Sequence, residues 1–408
     1  MKKSTFAWIF LALILANSTS FAAPQAGANG NVEMVNVLVG FNKIPAQAER
    51  GIITALGGQV RESFTIVPAV AATVPKSRLN ALSRNPNISI VEPDGIFELH
   101  RETPLKNRLA TLNAELNNTW GVRHIRSATV HAMGETGANI GVAIVDTGID
   151  YNHPELMFNY GGGFDYQNND SDPFDDDGHG THVAGTVAAA WNGLGVIGVA
   201  PNATVYALKA LGPNGGSYSN VISSLQWIVN HNNAVRAGLK PGHVEILVAN
   251  HSYGSSGDPG TLVRNAFNSS YAAGVLHIGS AGNGGNKAGN RDTVGFPAKY
   301  PSVMAVAATD NRNRRASFSA TGPALEISAP GVSINSTFPN NRYRSLSGTS
   351  MASPHVAGVA ALVFAANRNL SPDEVRLILQ ITAKPLGNSF QFGFGLIDAL
   401  DAYNAGLN

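Results

Sequence analysis

The chain contains no cysteine. That absence removes thiol nucleophiles, cysteine-ligated zinc, iron–sulfur clusters and disulfide staples together, so any nucleophile must be oxygen or nitrogen. Charge is scarce as well: 13% of the residues are Asp, Glu, Lys or Arg, about half the share usual in soluble domains. The 28 basic and 27 acidic residues leave a formal charge of +1, too little for a field that would hold nucleic acid or an anionic membrane. Beyond the N-terminus no segment has the roughly 18 continuous apolar residues of a membrane span, so the mature chain is expected to be soluble. What abounds is glycine, 44 residues of 408, well above the usual share of about 7%, which implies many tight turns and close backbone approaches. With 44% hydrophobic residues there is ample material for a large core.

The first residues read as an export signal. Lys2 and Lys3 precede an apolar run over 6–16, and Ser20-Phe21-Ala22 puts small residues at −3 and −1 of a cleavage site. An apolar run of that length, at 1.5 Å per residue, cannot cross a hydrocarbon core about 30 Å thick. The reading is therefore a signal peptide over 1–22, cleaved after Ala22, and a secreted, extracellular protein.

From there to about residue 100 the pattern predicts strands over 35–41, 59–66, 69–74 and 88–92 and helices over 45–55 and 76–83. The order βαββαβ suggests a small α+β ferredoxin-like module. Residues 101–119 lack a strand period and read as a linker or N-terminal extension. From 120 onward strands (140–145, 204–211, 246–249, 275–279) alternate with helices (180–190, 219–236, 260–273, 349–366). A last helix opens on the capping box Ser371-Pro372-Asp373-Glu374. That alternation predicts an α/β fold, a doubly wound and mostly parallel sheet with helices on both faces. Ligands then gather outside the carboxyl ends of the strands.

Asp146 ends the apolar run Gly141-Val142-Ala143-Ile144-Val145, where a buried strand delivers its side chain to that edge. His179 follows in Gly178-His179-Gly180-Thr181-His182, and Ser350 in Gly348-Thr349-Ser350-Met351-Ala352-Ser353-Pro354. A serine hydroxyl is a poor nucleophile unless an imidazole takes its proton, and that imidazole needs a carboxylate to hold its tautomer. Asp, His and Ser supply the three parts. At a helix start Ser350 would also aim its own N–H at a developing oxyanion, and the amide of Asn283, in Gly282-Asn283-Gly284-Gly285, offers a second donor. Each signal alone has a plainer meaning: Asp146 a turn or cap residue, Ser350 a helix cap, Asn283 a turn residue, His182 a packed histidine.

Jointly the segments Val145-Asp146-Thr147-Gly148-Ile149-Asp150, His179-Gly180-Thr181-His182-Val183-Ala184-Gly185-Thr186 and Gly348-Thr349-Ser350-Met351-Ala352-Ser353-Pro354-His355-Val356-Ala357-Gly358 resemble the subtilisin family of secreted serine endopeptidases. Phe296-Pro297-Ala298-Lys299-Tyr300-Pro301-Ser302-Val303 and Ala316-Ser317-Phe318-Ser319 carry the likeness to the true bacterial subtilisins within it, and the chain order Asp, His, Ser is theirs too. The resemblance implies the following roles. Asp146 is the orienting carboxylate, His179 the base and acid, Ser350 the nucleophile and Asn283 the oxyanion donor. Substrate adds as a strand to Gly215, Gly216 and Ser217 on one side and to Ser252, Tyr253 and Gly254 on the other. Gly295 helps to line a specificity pocket that has no matched acid, so large apolar or aromatic P1 residues are preferred over Lys or Arg. A structural calcium is held by Glu155, Ala190, Asn192, Leu194 and Val196, with Glu155 in place of the usual aspartate and Leu116 where the family often has Gln; the acidic stretch 170–177 reads as a second ion site or a solvated loop. Residues 23–100 form an inhibitor-like propeptide that chaperones folding and then blocks the cleft with its tail, 92–100, and 120–408 form the catalytic domain. Partners are protein and peptide substrates and the chain's own propeptide. No nucleic acid or membrane is expected for the mature form, which is taken as a monomer.

Two rivals are kept: an inactive binding or scaffold protein of the same architecture, opposed by the filled catalytic positions, and a metallohydrolase using His179 and His182, opposed by the lack of an HExxH base.

Overall fold

The computed structural model describes residues 32–100, 102 and 115–407; the signal segment 1–22 lies outside them. The body is built on seven strands, all parallel, in the spatial order Leu325–Pro330, Val303–Thr309, Leu276–Ser280, Ile246–His251, Gly141–Asp146, Thr204–Lys209 and Tyr160–Asp165. The central strand Gly141–Asp146 is buried along its whole length, as a strand covered on both faces must be.

One face carries helices His179–Ala188, Thr349–Ala366, Pro372–Ile381 and Ala399–Gly406, and the other Tyr218–Arg236 and Thr261–Ala272. The doubly wound sheet is thus the fold of the body. Helix Thr349–Ala366 is apolar on all sides, and 16 of its 18 residues are buried, which makes it the central core helix rather than a surface one. Pro372–Ile381 starts on its capping box, Ser371 Oγ accepting from the Glu374 N–H. It is not the last helix, since Ser389–Phe392 and Ala399–Gly406 follow.

The chain leaves strand Gly141–Asp146 toward one edge of the sheet and returns to its other flank with Ile246–His251. The crevice at that reversal, outside the carboxyl ends of these two strands, is where an open α/β sheet places its chemistry.

Ahead of the body, strands Met34–Phe41, Gln59–Ser63, Ala69–Pro75 and Ile88–Pro93 form an antiparallel sheet with helices Gln47–Ala55 and Leu79–Ser83. Val37, Val39, Ile53, Val70, Val74 and Leu82 make its own small core. Its other face packs on the body: Leu38, Phe64, Ala69 and Ala71 share a buried cluster with Leu225, Leu262 and Ala266 of the two covering helices. Two carboxylates fasten the joint. Glu92 accepts from the N–H groups of Thr261 and Leu262 at 2.7 and 2.9 Å, and Asp94 accepts from the Ser219 N–H and hydroxyl at 2.9 and 2.8 Å. Each acid therefore meets orphan donors and the positive end of a helix dipole.

The segment 101–119, read as a linker, contains a helix, Glu115–Asn118, that packs against the next helix, Trp120–His124. Contacts of the body thus begin ahead of residue 120.

Candidate active site

Strand Gly141–Asp146 ends with Asp146 fully buried at the crevice. Gly178, at φ 111°, turns the chain into helix His179–Ala188 with His179 as its first residue. His179 Nδ1 lies 2.6 Å from Asp146 Oδ1. The junction is braced by buried Asp175, which accepts from the Thr147 hydroxyl, the Gly178 N–H and both the N–H and hydroxyl of Thr181. Burial pushes the Asp175 carboxyl up to about 6. The acidic stretch is thus partly a structural brace at the start of the histidine helix, which its sequence did not suggest.

Ser350 is the second residue of helix Thr349–Ala366 and is buried. Pro354, four residues on, has no N–H to give the Ser350 carbonyl. That carbonyl takes the Ser252 hydroxyl at 2.9 Å instead, while Ser350 Oγ donates to the Ser252 carbonyl at 3.1 Å. The reciprocal pair locks the helix start to the end of strand Ile246–His251. Asn283 lies beside it, its Oδ1 accepting from the N–H and hydroxyl of Thr349, both at 2.9 Å. An N–H can only donate to oxygen, so these bonds fix the amide with Nδ2 as its donor end.

The expected substrate segments face each other across the crevice, with a strand of the chain itself between them. Ile96–Leu99 pairs antiparallel with Gly216–Ser217 on one side and with Tyr253–Gly254 on the other. Gly215, at φ +84°, has no room for a side chain, because a Cβ there would overlap the Phe97 carbonyl oxygen. Phe97 is fully buried, its ring edge-on to Tyr218 and Tyr253 at centroid distances of 4.8 and 5.0 Å. His100 follows. Its Nδ1 lies 3.0 Å from Ser280 Oγ, and it lines a cavity of about 410 Å³ with Gly254, Ser255, Gly282, Asn283, Thr293 and Gly295. Burial, helped by the neighbouring charge of His179, pushes the His100 imidazole down to about 4.

Beyond His100, Glu102 reaches the imidazole: its Oε1 is 2.9 Å from His179 Nε2. Burial opposes protonation of His179, but the carboxylates of Asp146 and Glu102 on its two nitrogens outweigh it and hold the pKa well above the ordinary value. His179 and Ser350 thus each have another partner, Glu102 and Ser252. His182 sits one turn away with Nε2 at 3.1 and 3.0 Å from the Ile334 and Arg344 carbonyls, a packed histidine. Burial pushes it down to about 4.

The proposed ion loop follows the C-terminal end of that helix. Glu155 is fully buried; its Oε1 accepts from the Tyr343 hydroxyl at 2.9 Å and the Val196 N–H at 3.2 Å, while its Oε2 has no hydrogen-bond partner. Burial raises its pKa, and the Glu115 charge adds to the rise. Glu115 Oε1 in turn accepts from the N–H groups of Asn192, Gly193 and Leu194. The loop turns its N–H groups, those of Asn192, Gly193, Leu194 and Val196, to these two buried carboxylates; the feature that fits a hard cation taking oxygen ligands is the buried, unpartnered Glu155 Oε2. The residue that reaches the loop from the N-terminal side is Glu115, one position before Leu116, and nothing in the sequence period singled it out.

A glycine turn at positive φ leading to a histidine bonded to a buried Asp, a serine at a helix start and a strand-binding crevice are the parts that a serine endopeptidase, an enzyme that cuts proteins, requires. The subtilase family profile matches residues 137–395, and the chain belongs to that family. It is 37% identical to subtilisin E of Bacillus subtilis (strain 168) over 396 residues, 95% of either chain. It is 46% identical to subtilisin DY of Bacillus licheniformis over 280 residues, 68% of this chain and 96% of that one. Among solved structures it superposes on fervidolysin from Fervidobacterium pennivorans, described as a keratinolytic enzyme related to subtilisin, with a TM-score of 0.77 and 28% identity. That match covers 92% of this chain, which spans 62% of the fervidolysin chain.

Proposed function

We propose that the chain is the precursor of a secreted, self-processing serine endopeptidase. The observation that carries this is its own strand Ile96–Leu99 seated as the middle strand of the crevice, with His100 after it lining a cavity together with Asn283. β-augmentation of this kind gives affinity through the main chain with little dependence on sequence.

In the processed enzyme Ser350 Oγ attacks the scissile carbonyl carbon as His179 Nε2 takes its proton, and Asp146 stabilises the imidazolium. The oxyanion is met by the Ser350 N–H and Asn283 Nδ2. His179 then protonates the leaving amine as the C–N bond breaks, and water hydrolyses the acyl-enzyme by the reverse sequence. Gly215, Gly216, Ser217, Ser252, Tyr253 and Gly254 hold the substrate strand. The pocket bordered by Gly254 and Gly295 takes large apolar or aromatic P1 side chains, for no carboxylate of the body lines it among the described residues.

Residues 23–100 act as folding chaperone and inhibitor, and 1–22 direct export to the extracellular medium, where the enzyme works as a monomer. A calcium ion, held by the Glu155 and Asn192 side chains and the carbonyls of Ala190, Leu194 and Val196, supplies stability and takes no part in the chemistry.

Wild type and Ser350→Ala, treated side by side with a serine-directed phosphonylating reagent and weighed intact, test the reading. A shortened wild type with one adduct and a full-length, unlabelled mutant are expected. Two full-length, unlabelled proteins would return the scaffold reading.

A further inference from the structure

Histidine is an odd side chain for a pocket expected to take apolar rings. The pocket nevertheless has one polar side chain matched to it. Ser280, the last residue of strand Leu276–Ser280, is 2% exposed, and its Oγ lies 3.0 Å from His100 Nδ1. A hydroxyl serves either tautomer, donating to a bare ring nitrogen or accepting from an N–H. The ring also lies against a glycine wall, since a Cβ at Gly254 would come within 2.5 Å of His100 Nε2.

We propose that Ser280 is a specificity-determining residue of the P1 pocket: its hydroxyl makes the pocket a receptor for neutral histidine, and the first cut falls after His100. The inference rests on the endopeptidase reading above and goes beyond its apolar preference. A flat five-membered ring with one satisfied nitrogen fits where a lysine or arginine would bring a charge with no counter-charge to meet it.

The protonation state follows from what faces the ring. The charged and titratable groups that line the cavities on either side of it are His179, Asp177 and Arg344 from the body and Glu98 and Glu102 from its own segment, while Ser280, Gly254 and Asn283 bring no charge. Burial disfavours the imidazolium, so the pocket takes the neutral form. A free histidine side chain is half protonated near pH 6.5, and a peptide carrying it at P1 must lose that proton to enter.

The test is kcat/KM for three otherwise identical peptides with His, Phe or Lys at P1, on the processed enzyme and on Ser280→Ala, from pH 5.5 to 8. Titration of the catalytic histidine cancels in the His-to-Phe ratio. For the wild type that ratio should rise about tenfold over the range, following the neutral fraction of free histidine, with the Lys peptide poorest throughout. In Ser280→Ala the ratio at pH 8 should fall about three- to tenfold, the worth of one neutral hydrogen bond. A ratio indifferent to Ser280, or a His peptide cut no better than the Lys one, overturns the inference while leaving an active endopeptidase. An enzyme that cuts none of the peptides and takes no phosphonyl label sinks the endopeptidase reading and this inference with it. If Ser280→Ala does not fold, the pH dependence of the wild-type ratio decides alone.

Discussion

Glu102→Gln tests whether the precursor restrains its own processing through the imidazole. Oε1 stands 2.9 Å from His179 Nε2, with side-chain exposures of 13% and 5%, so water screens the pair little. While that nitrogen is protonated it cannot take a proton from Ser350. An opposite charge this close favours the protonated imidazole by its charge alone, so its loss moves the midpoint of the imidazole down. The sign follows directly. Burial lowers the His179 pKa, and the two carboxylates raise it by more, so removing one charge lowers it and neutral base appears at lower pH. Processing of Glu102→Gln should therefore begin at a lower pH than in the wild type, and run about tenfold or more faster on the rising limb. The assay is a time course of refolded precursor from pH 5.5 to 9 read by intact mass. Nitrogen shifts of His179 in a Ser350→Ala background give the same midpoint without cleavage. Coincident limbs for the two proteins would refute the argument, because a mere change of side chain beyond the cut would alter the rate and not the pH at which it rises.

The other consequences are more local. Asn283→Ala should lower kcat by about 10²–10³ with the melting temperature little changed, a magnitude taken over from the subtilisin asparagine that is the known case of such a donor; unaltered turnover would remove Asn283 from the site. Phe97→Ala in the isolated segment 23–100, added to processed enzyme, should weaken inhibition by at least 100-fold, since emptying a buried aromatic site typically costs about 3–5 kcal/mol; titration of residual activity reads it. A chelator should lower the melting temperature of Ser350→Ala at once while activity of the wild type decays slowly through unfolding, the linkage being about 2.7 kcal/mol at a hundredfold excess of ion over its Kd; instant loss of activity at unchanged stability would favour a catalytic metal. Acid should destabilise the fold below about pH 6.5. Burial, the leading cause at each, pushes His182, His277 and His355 down to about 4, 3 and 4, so the folded state binds fewer protons than the unfolded one. Each histidine then withdraws about 2 kcal/mol between pH 6.5 and 5. Flat stability over that range, by thermal melts of Ser350→Ala, would contradict it.

What could be read from the sequence is what leaves a local mark. Asp146 closes an apolar run, and glycines flank His179 and precede Ser350; the physical reasons for those neighbours, burial and tight helix entry, lie within a few residues of the side chain they serve. The parallel sheet announced itself through four strands buried on both faces, yet Tyr160–Asp165, Val303–Thr309 and Leu325–Pro330 were not read, the first because its three consecutive glycines carry no strand propensity. The helix after Asp398 also escaped notice, being short and capped by a single aspartate.

The residues that escaped notice at the site share another property: each acts on a partner far along the chain and has no periodic neighbour to give it away. Glu115 gathers N–H groups 77 to 79 residues on, Ser280 meets a ring 180 residues earlier, and Glu92 and Asp94 cap helices that begin more than a hundred residues later. A carboxylate or hydroxyl in a polar stretch reads the same whether it faces water or a buried imidazole. Glu102 and Ser280 show why that matters here: the reactive groups are standard for the class, but the restraint on them and the shape of the first cut depend on these two unmarked side chains. Replacing both in one precursor separates the roles, since Glu102→Gln should move the pH of processing and Ser280→Ala the choice of the bond, and a double variant in which the two shifts fail to add would mean that His100 and His179 titrate as one coupled pair.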